Sequence, residues 1–376
     1  MKKLRKTVFI KRLSFRALMA NLDDQRAMQK LDPKGVLAST AQFADQCEQA
    51  WREASAIEFP KQYQPIYNIV VAGMGGSRFT PRSIKELFRG QIREPYEIVD
   101  DYTLPGYVDS DTLVILSSFS GTTEEVLSCG QDAVRRGAKL TGIVSGGPIA
   151  NFLKARGATM YQFTPTHNPC GQPRIGGGYL LMGHLGLLKA LHLVDIEEKE
   201  VAEAIAYART TARKYTKDIP AAQNPAKQLA VTLDGTHPFI ITAEFLKGFG
   251  NGFANQLNET AKMISDPRII PELNHHLMEG LAHPDSMKSN GLFVFFTSRF
   301  YSPQVQKRFT ITKTVVEKQG IQTKEIPLTG PTPLAQVLEA YTLSGFTTFY
   351  AAMLHDIDPV AIPWVDYFKE QLSRIR

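Results

Sequence analysis

Cysteine is scarce in this chain. The three among 376 residues, Cys47, Cys129 and Cys170, are odd in number and widely spaced. They form neither a disulfide framework nor a zinc pattern, and a reducing compartment, the cytoplasm, is the simplest home. No run approaches the roughly 20 apolar residues needed to span a bilayer. There is no short-period repeat or low-complexity tract, and nothing reads as a DNA-binding segment. Phosphate motifs of the familiar kinds are missing too: no Gly-Lys-Ser/Thr occurs, and Gly73-x-Gly75 lacks the third glycine of a dinucleotide loop.

A real excess of charge is also lacking, despite the formal net charge of +6. Seven Lys or Arg, from Lys2 to Arg16, fall in the first 22 residues, which hold no acid. The remainder carries 36 basic and 37 acidic residues, a net of −1. A neutral body gives no case for nucleic-acid binding. Lys11, Arg12 and Arg16 interrupt any apolar core in the head and so exclude a secretory signal. An acid-free head is also a transit-peptide trait, but a solvated or helical extension over residues 1–29 is preferred.

What is present is a pair of strand-loop-helix junctions. Asn68-Ile69-Val70-Val71-Ala72 runs into Gly73-Met74-Gly75-Gly76-Ser77, and Thr112-Leu113-Val114-Ile115-Leu116 runs into Ser117-Ser118-Phe119-Ser120-Gly121-Thr122-Thr123. Each apolar run stops at small or hydroxylated residues where a helix begins. Helix starts expose amides without partners at the positive end of the dipole, so the pair suits one anion, a phosphate monoester, gripped from two sides. Glycines at strand ends also serve plain turns, so the second loop, with four hydroxyls on six residues, is the stronger signal.

The pattern predicts a helix over 30–57, strands at 68–72, 97–99, 112–116, 139–144 and 159–163, and helices at 80–89, 123–135, 148–156 and 178–193. After a polar stretch, Lys214 to Lys227, a second round is expected. Its strands are 238–242, 291–296 and 322–327; its helices run from Phe253 to Ile264 and over 302–319, 333–355 and 363–375. Alternation of this kind means parallel sheets covered by helices on both faces. Two similar domains are expected, 30–213 with the phosphate loops and 214–376 without them, and a pocket at their interface.

The residues Gly73 to Ser77, Ser118 to Glu125 and Ser145-Gly146-Gly147 resemble the sugar isomerase (SIS) domain. Gln172-Pro173-Arg174, Gln256-Leu257-Asn258-Glu259 with Ala261-Lys262, Pro271-Glu272-Leu273-Asn274-His275, Asp358-Pro359 and Lys369 are similar to motifs of the bifunctional phosphoglucose/phosphomannose isomerase family. The resemblance covers about residues 30 to 373, in the family's order. It implies an α/β protein of two SIS-type domains, each a parallel sheet flanked by helices on both faces. It also implies a homodimer acting on a hexose 6-phosphate, without metal or organic cofactor. Aldose–ketose isomerisation needs an anchored phosphate, an opened ring, a carboxylate moving a proton between C2 and C1, and a cation beside the enediolate.

Position by position, the resemblance assigns phosphate binding to Gly76, Ser77, Ser118, Ser120 and Thr123. It makes Glu259 the base, against the plain alternative of a solvated helix carboxylate. His275 becomes the ring-opening residue, reaching the neighbouring subunit's site. Arg174, which a rigid proline and following glycines would present toward an oxyanion, is assigned to the enediolate or sugar hydroxyls; a salt-bridged arginine at a helix start is the alternative. Lys369, otherwise an ordinary helix lysine, is given ring opening and sugar contact. A metal at His275, His276, Glu279 and His283 lacks a third ligand of compelling spacing.

The chain departs from the family pattern in four places. Arg78-Phe79-Thr80-Pro81-Arg82 follows Ser77, Thr122 stands for asparagine, Gly252 to Asn255 replace basic and aromatic residues, and Ser344 to Tyr350 replace a Gly-Asp-aromatic pattern. Arg78 is expected either to touch phosphate or to point into solvent. The departures leave open which C2 epimer is preferred and how the subunits pack.

Overall fold

The computed structural model describes residues 22–374, and the seven cations of the basic head lie outside the described residues. Five strands, β1 (Asn68–Ala72), β2 (Tyr96–Val99), β3 (Thr112–Ser118), β4 (Lys139–Val144) and β5 (Tyr161–Gln162), form a parallel sheet in the order β2-β1-β3-β4-β5. The register sets Ile69 beside Leu113 and Leu116 beside Gly142. Side chains alternate across a strand. Ile69, Val71, Leu113 and Ile115 therefore enter one core, while Val70, Ala72, Val114 and Leu116 enter another on the opposite face. With both faces covered, the strands read as continuous apolar runs.

The helices of this half are α1 (Gln25–Leu31), α2 (Val36–Ala41), α3 (Phe43–Ser55), α4 (Gly76–Leu87), α5 (Glu124–Arg135), α6 (Gly147–Lys154), α7 (Gly177–Ala190) and α8 (Glu198–Ala212). The second half carries α9 (Pro225–Leu233), β6 (His237–Ala243), α10 (Lys247–Glu259), β7 (Asp266–Ile270), α11 (Leu277–Gly280), α12 (Met287–Asn290), β8 (Gly291–Thr297), α13 (Pro303–Lys318), β9 (Gln322–Pro327), α14 (Pro333–Leu354) and α15 (Pro363–Arg374). Its sheet is also parallel, in the order β7-β6-β8-β9. Every residue of α14 from Leu334 to Met353 is buried, and the larger core runs without a break from the first sheet to the second.

Two expectations are corrected. The helix over 30–57 is broken: Pro33 and the left-handed Gly35 (φ 76°) separate α1 from α2, and a turn at Gln42 separates α2 from α3. Asp32 caps the restart, accepting from the amides of Val36 (2.7 Å) and Leu37 (2.9 Å). The helix expected to end at Ile264 stops at Glu259, and Lys262 turns the chain with φ 53°. At the end of the polar stretch, Asn224 caps α9 through the amides of Ala226 and Lys227. Buried Lys227 donates to Asp23, Lys217 O and Ile219 O.

Two glycines join the halves. A Cβ on Gly248 would lie 2.3 Å from Ser83 Oγ, and one on Gly252 would lie 2.8 Å from the Phe79 ring. The i, i+4 pair forms a stripe on α10 that lets it rest directly on α4. Among the described residues no helix is long and apolar enough to cross a membrane.

Candidate active site

The phosphate loops lie at the carboxyl ends of β1 and β3, as expected for a parallel sheet. Ser77 is buried in the first turn of α4, and its Oγ accepts from the Phe119 amide at 3.3 Å, which ties one loop to the other. Ser118 Oγ accepts from the Gly121 amide (3.1 Å) and bonds Thr123 Oγ1 (2.8 Å). Ser120 Oγ bonds Thr122 Oγ1 at 2.9 Å. Among the described residues, no acceptor takes the amides of Gly75, Gly76, Thr123 or Glu124. These free donors at two helix starts have the chemistry of an anion cradle. Gly121 adopts φ 69°, and a Cβ there would lie 1.7 Å from Gly146 O, so the β3 and β4 loops interlock only with glycine present.

Arg174 follows in the short turn Pro173–Ile175, which the Phe119 ring meets at Gly176. The guanidinium is buried, with most of its donors committed to protein. Nε donates to Thr260 Oγ1 (3.3 Å), Nη1 to Gln172 Oε1 (3.1 Å), and Nη2 to Pro359 O (2.8 Å) and Val360 O (2.7 Å). Nη1 also lies 3.7 Å from Glu259 Oε2. Burial presses the guanidinium below its ordinary pKa, and Glu259 pulls against it.

Glu259 is the last residue of α10, its side chain 36% exposed. Burial raises its pKa; the charges of Arg174, then Lys369, then Lys262 oppose that rise. Lys369 stands on α15, every residue of which is outside the core, and reaches the site through its charge. Lys262 was not assigned a role from the sequence. Its Nζ donates to Asp358 O (2.9 Å) and Thr260 O (3.3 Å), and burial followed by the Arg174 charge pushes its pKa down to about 8. Its left-handed backbone was the structural signal that a single sequence does not carry.

His275 closes the turn Glu272–His275 after β7; it is exposed and makes no hydrogen bond or ion pair with Glu259, Arg174 or Lys369 among the described residues. No three His, Cys, Asp or Glu side chains there could hold a metal ion. Arg78, its side chain 35% exposed, is turned toward the second half of the chain. It pairs with Asp100 at 2.7 Å and donates to Asn251 Oδ1 at 3.1 Å, on the same helix as Glu259. A cavity of about 420 Å³ lined by Phe295, Arg299 and Lys313 lies between α13 and the β8–β9 edge, away from these groups.

Two parallel sheets flanked by helices, with free amides at two helix starts and a carboxylate–guanidinium pair, make an SIS-type α/β fold. Residues 222–372 match the model of the bacterial phospho-glucose isomerase C-terminal SIS domain. A glucose-6-phosphate isomerase from Chlamydia trachomatis shares the fold, with TM-score 0.66 and 13% identity over 96% of this chain and 85% of that one. Over most of its length the chain is similar to a narrower group, the bifunctional phosphoglucose/phosphomannose isomerases. Proteins of that name from Caldicellulosiruptor bescii (28% identical, 90% of this chain and 99% of the relative) and Aquifex aeolicus (28%, 84% and 94%) are among its relatives.

Proposed function

We propose that this protein is an aldose–ketose isomerase, an intramolecular oxidoreductase, interconverting fructose 6-phosphate with glucose 6-phosphate and mannose 6-phosphate through a cis-enediolate. The observation that carries the reading is the Glu259 carboxylate, raised in pKa by burial and held 3.7 Å from the buried Arg174 guanidinium. Residues 30–213 hold phosphate through Gly76, Ser77, Ser118, Ser120 and Thr123; residues 214–376 supply the base. With the ring open, Glu259 takes the proton from C2, the carbonyl electrons move onto O1, and a proton passes between the two oxygens. Glu259 then returns its proton to C1 and leaves the ketose. Arg174 acts through its fixed positive charge, which favours both the ionised base and the enediolate. Lys369 and His275 serve ring opening.

Coupled assays on glucose 6-phosphate and mannose 6-phosphate test this. Turnover of both is expected. Turnover of one narrows the specificity, and turnover of neither, with fructose 6-phosphate still stabilising the fold, leaves a non-catalytic phosphosugar sensor.

The protein is further proposed to work as a homodimer in the cytoplasm. Exposed His275 lacks a partner at Glu259 within its own chain, and the three cysteines are buried and free, as suits a reducing compartment. In a two-fold dimer each site would take His275 from its neighbour. Mixing inactive Glu259→Gln with inactive His275→Ala after unfolding and refolding is then expected to restore roughly a quarter of native activity, since half of the dimers are hybrids with one intact site. No recovery from folded mixed dimers would place both residues in one chain's site.

A further inference from the structure

We propose that Lys262 is a positioning residue: with Arg174 it pins the backbone of Asp358, Pro359 and Val360, the hinge from which α15 hangs, and so sets Lys369 over Glu259. The inference rests on the isomerase reading and names a residue that reading does not use.

Lys262 lies just beyond the end of α10, where the chain reverses. The Thr260 amide closes the last helical turn on Gln256 O (2.8 Å), and the Met263 amide reaches back to Leu257 O (3.0 Å) across a left-handed position of the kind that favours glycine. Here that position is Lys262, with φ 53°. A side chain retained where glycine would be easier asks for a local reason. Nζ supplies one by donating to Asp358 O at 2.9 Å. The next two carbonyls, of Pro359 and Val360, are taken by Arg174 Nη2 at 2.8 and 2.7 Å. Asp358 stiffens the same segment, its Oδ1 accepting from the Val360 amide at 2.7 Å. Three successive carbonyls are thus held by two cations that flank Glu259.

The hinge matters because α15 has no other strong anchor among the described residues. The helix begins at Pro363, and no residue on it is buried; Trp364 is 81% and Phe368 64% exposed. Its direction is set by the backbone that enters it. Releasing one of the three carbonyls frees the helix and, with it, Lys369, and a displacement of about 1 Å in a catalytic group is enough to lower turnover by ~10²-fold.

Lys262→Met, Lys262→Arg and Lys369→Met, with the double variant Lys262→Met/Lys369→Met, test the proposal. Lys262→Met is expected to lower kcat by about tenfold or more with little change in KM, and to speed amide hydrogen exchange over residues 363–374 while the core stays protected. Lys262→Arg is expected to restore both. In the Lys369→Met background the kcat effect of Lys262→Met should vanish, since one residue acts through the other. Native exchange in α15 together with native kcat in Lys262→Met would overturn the proposal, as would a full kcat loss surviving in the Lys369→Met background. Should the wild type turn over no hexose phosphate, the isomerase reading fails. The exchange measurement still decides the clamp, and unchanged exchange overturns it on that ground alone.

Discussion

Glu259→Gln is expected to lower turnover by about 10²- to 10⁴-fold, the contribution of a well-placed general base, without lowering the melting temperature. The second half of that result follows from the sign of the pKa shift. Burial raises the Glu259 pKa above its ordinary value of 4.5. A group raised in the folded state contributes its stability below the unfolded value and loses it as pH rises through the folded value. At neutral pH the ionised carboxylate is therefore a burden on the fold, and neutral glutamine of nearly the same shape removes it. The same shift puts the acid limb of kcat/KM above the ordinary carboxylate range. Coupled assay, thermal unfolding and a pH profile check the three statements. Native turnover in the variant would remove Glu259 from the base role.

Arg174→Met is expected to damage both the fold and the reaction. The substitution leaves Pro359 O, Val360 O, Thr260 Oγ1 and Gln172 Oε1 without their donor. Breaking a buried charged network from one side costs about 3–5 kcal/mol. It also removes the largest charge opposing the rise of the Glu259 pKa, so the acid limb moves to higher pH. Turnover at neutral pH should fall by about 10²- to 10³-fold, as on loss of one preorganised electrostatic group. Arg174→Lys keeps the charge but not the planar fork that reaches in three directions. It is expected to bring the acid limb back toward its native position while most of the stability stays lost. Denaturant unfolding and pH profiles of the two variants separate these effects.

Much of this was legible in the sequence because it depends on local pattern. The parallel sheets follow from apolar strands alternating with amphipathic helices, and the cradle from hydroxyls crowded at a helix start. β7 was missed: Asp266-Pro267-Arg268-Ile269-Ile270 is an edge strand with a proline, which carries little strand signal. α8 was missed as well, because its buried face rests on small residues such as Ala204 and Ala208. The site divided along the same line. Glu259 and Arg174 could be named, but their mutual 3.7 Å, the bonds of Arg174 to Pro359 and Val360, and the turn of Arg78 to Asp100 join residues far apart in the chain. No local pattern encodes those separations.

The glycine stripe on α10 has a mechanical meaning. With Gly248 against the Ser83 backbone and Gly252 against the Phe79 ring, α10 meets α4 with no side chain of its own at either contact. The helix that opens at Gly76 and the helix that ends at Glu259 are thus riveted together. On the proposed reading, the distance from phosphorus to base is then a fixed gauge, set before any sugar arrives. A rigid gauge selects by length, and glucose and mannose 6-phosphate, differing only in the hand of C2, measure the same. Tolerance of both epimers is what such a frame delivers by default; a preference for one would have to be written into the side chains between the rivets and the base.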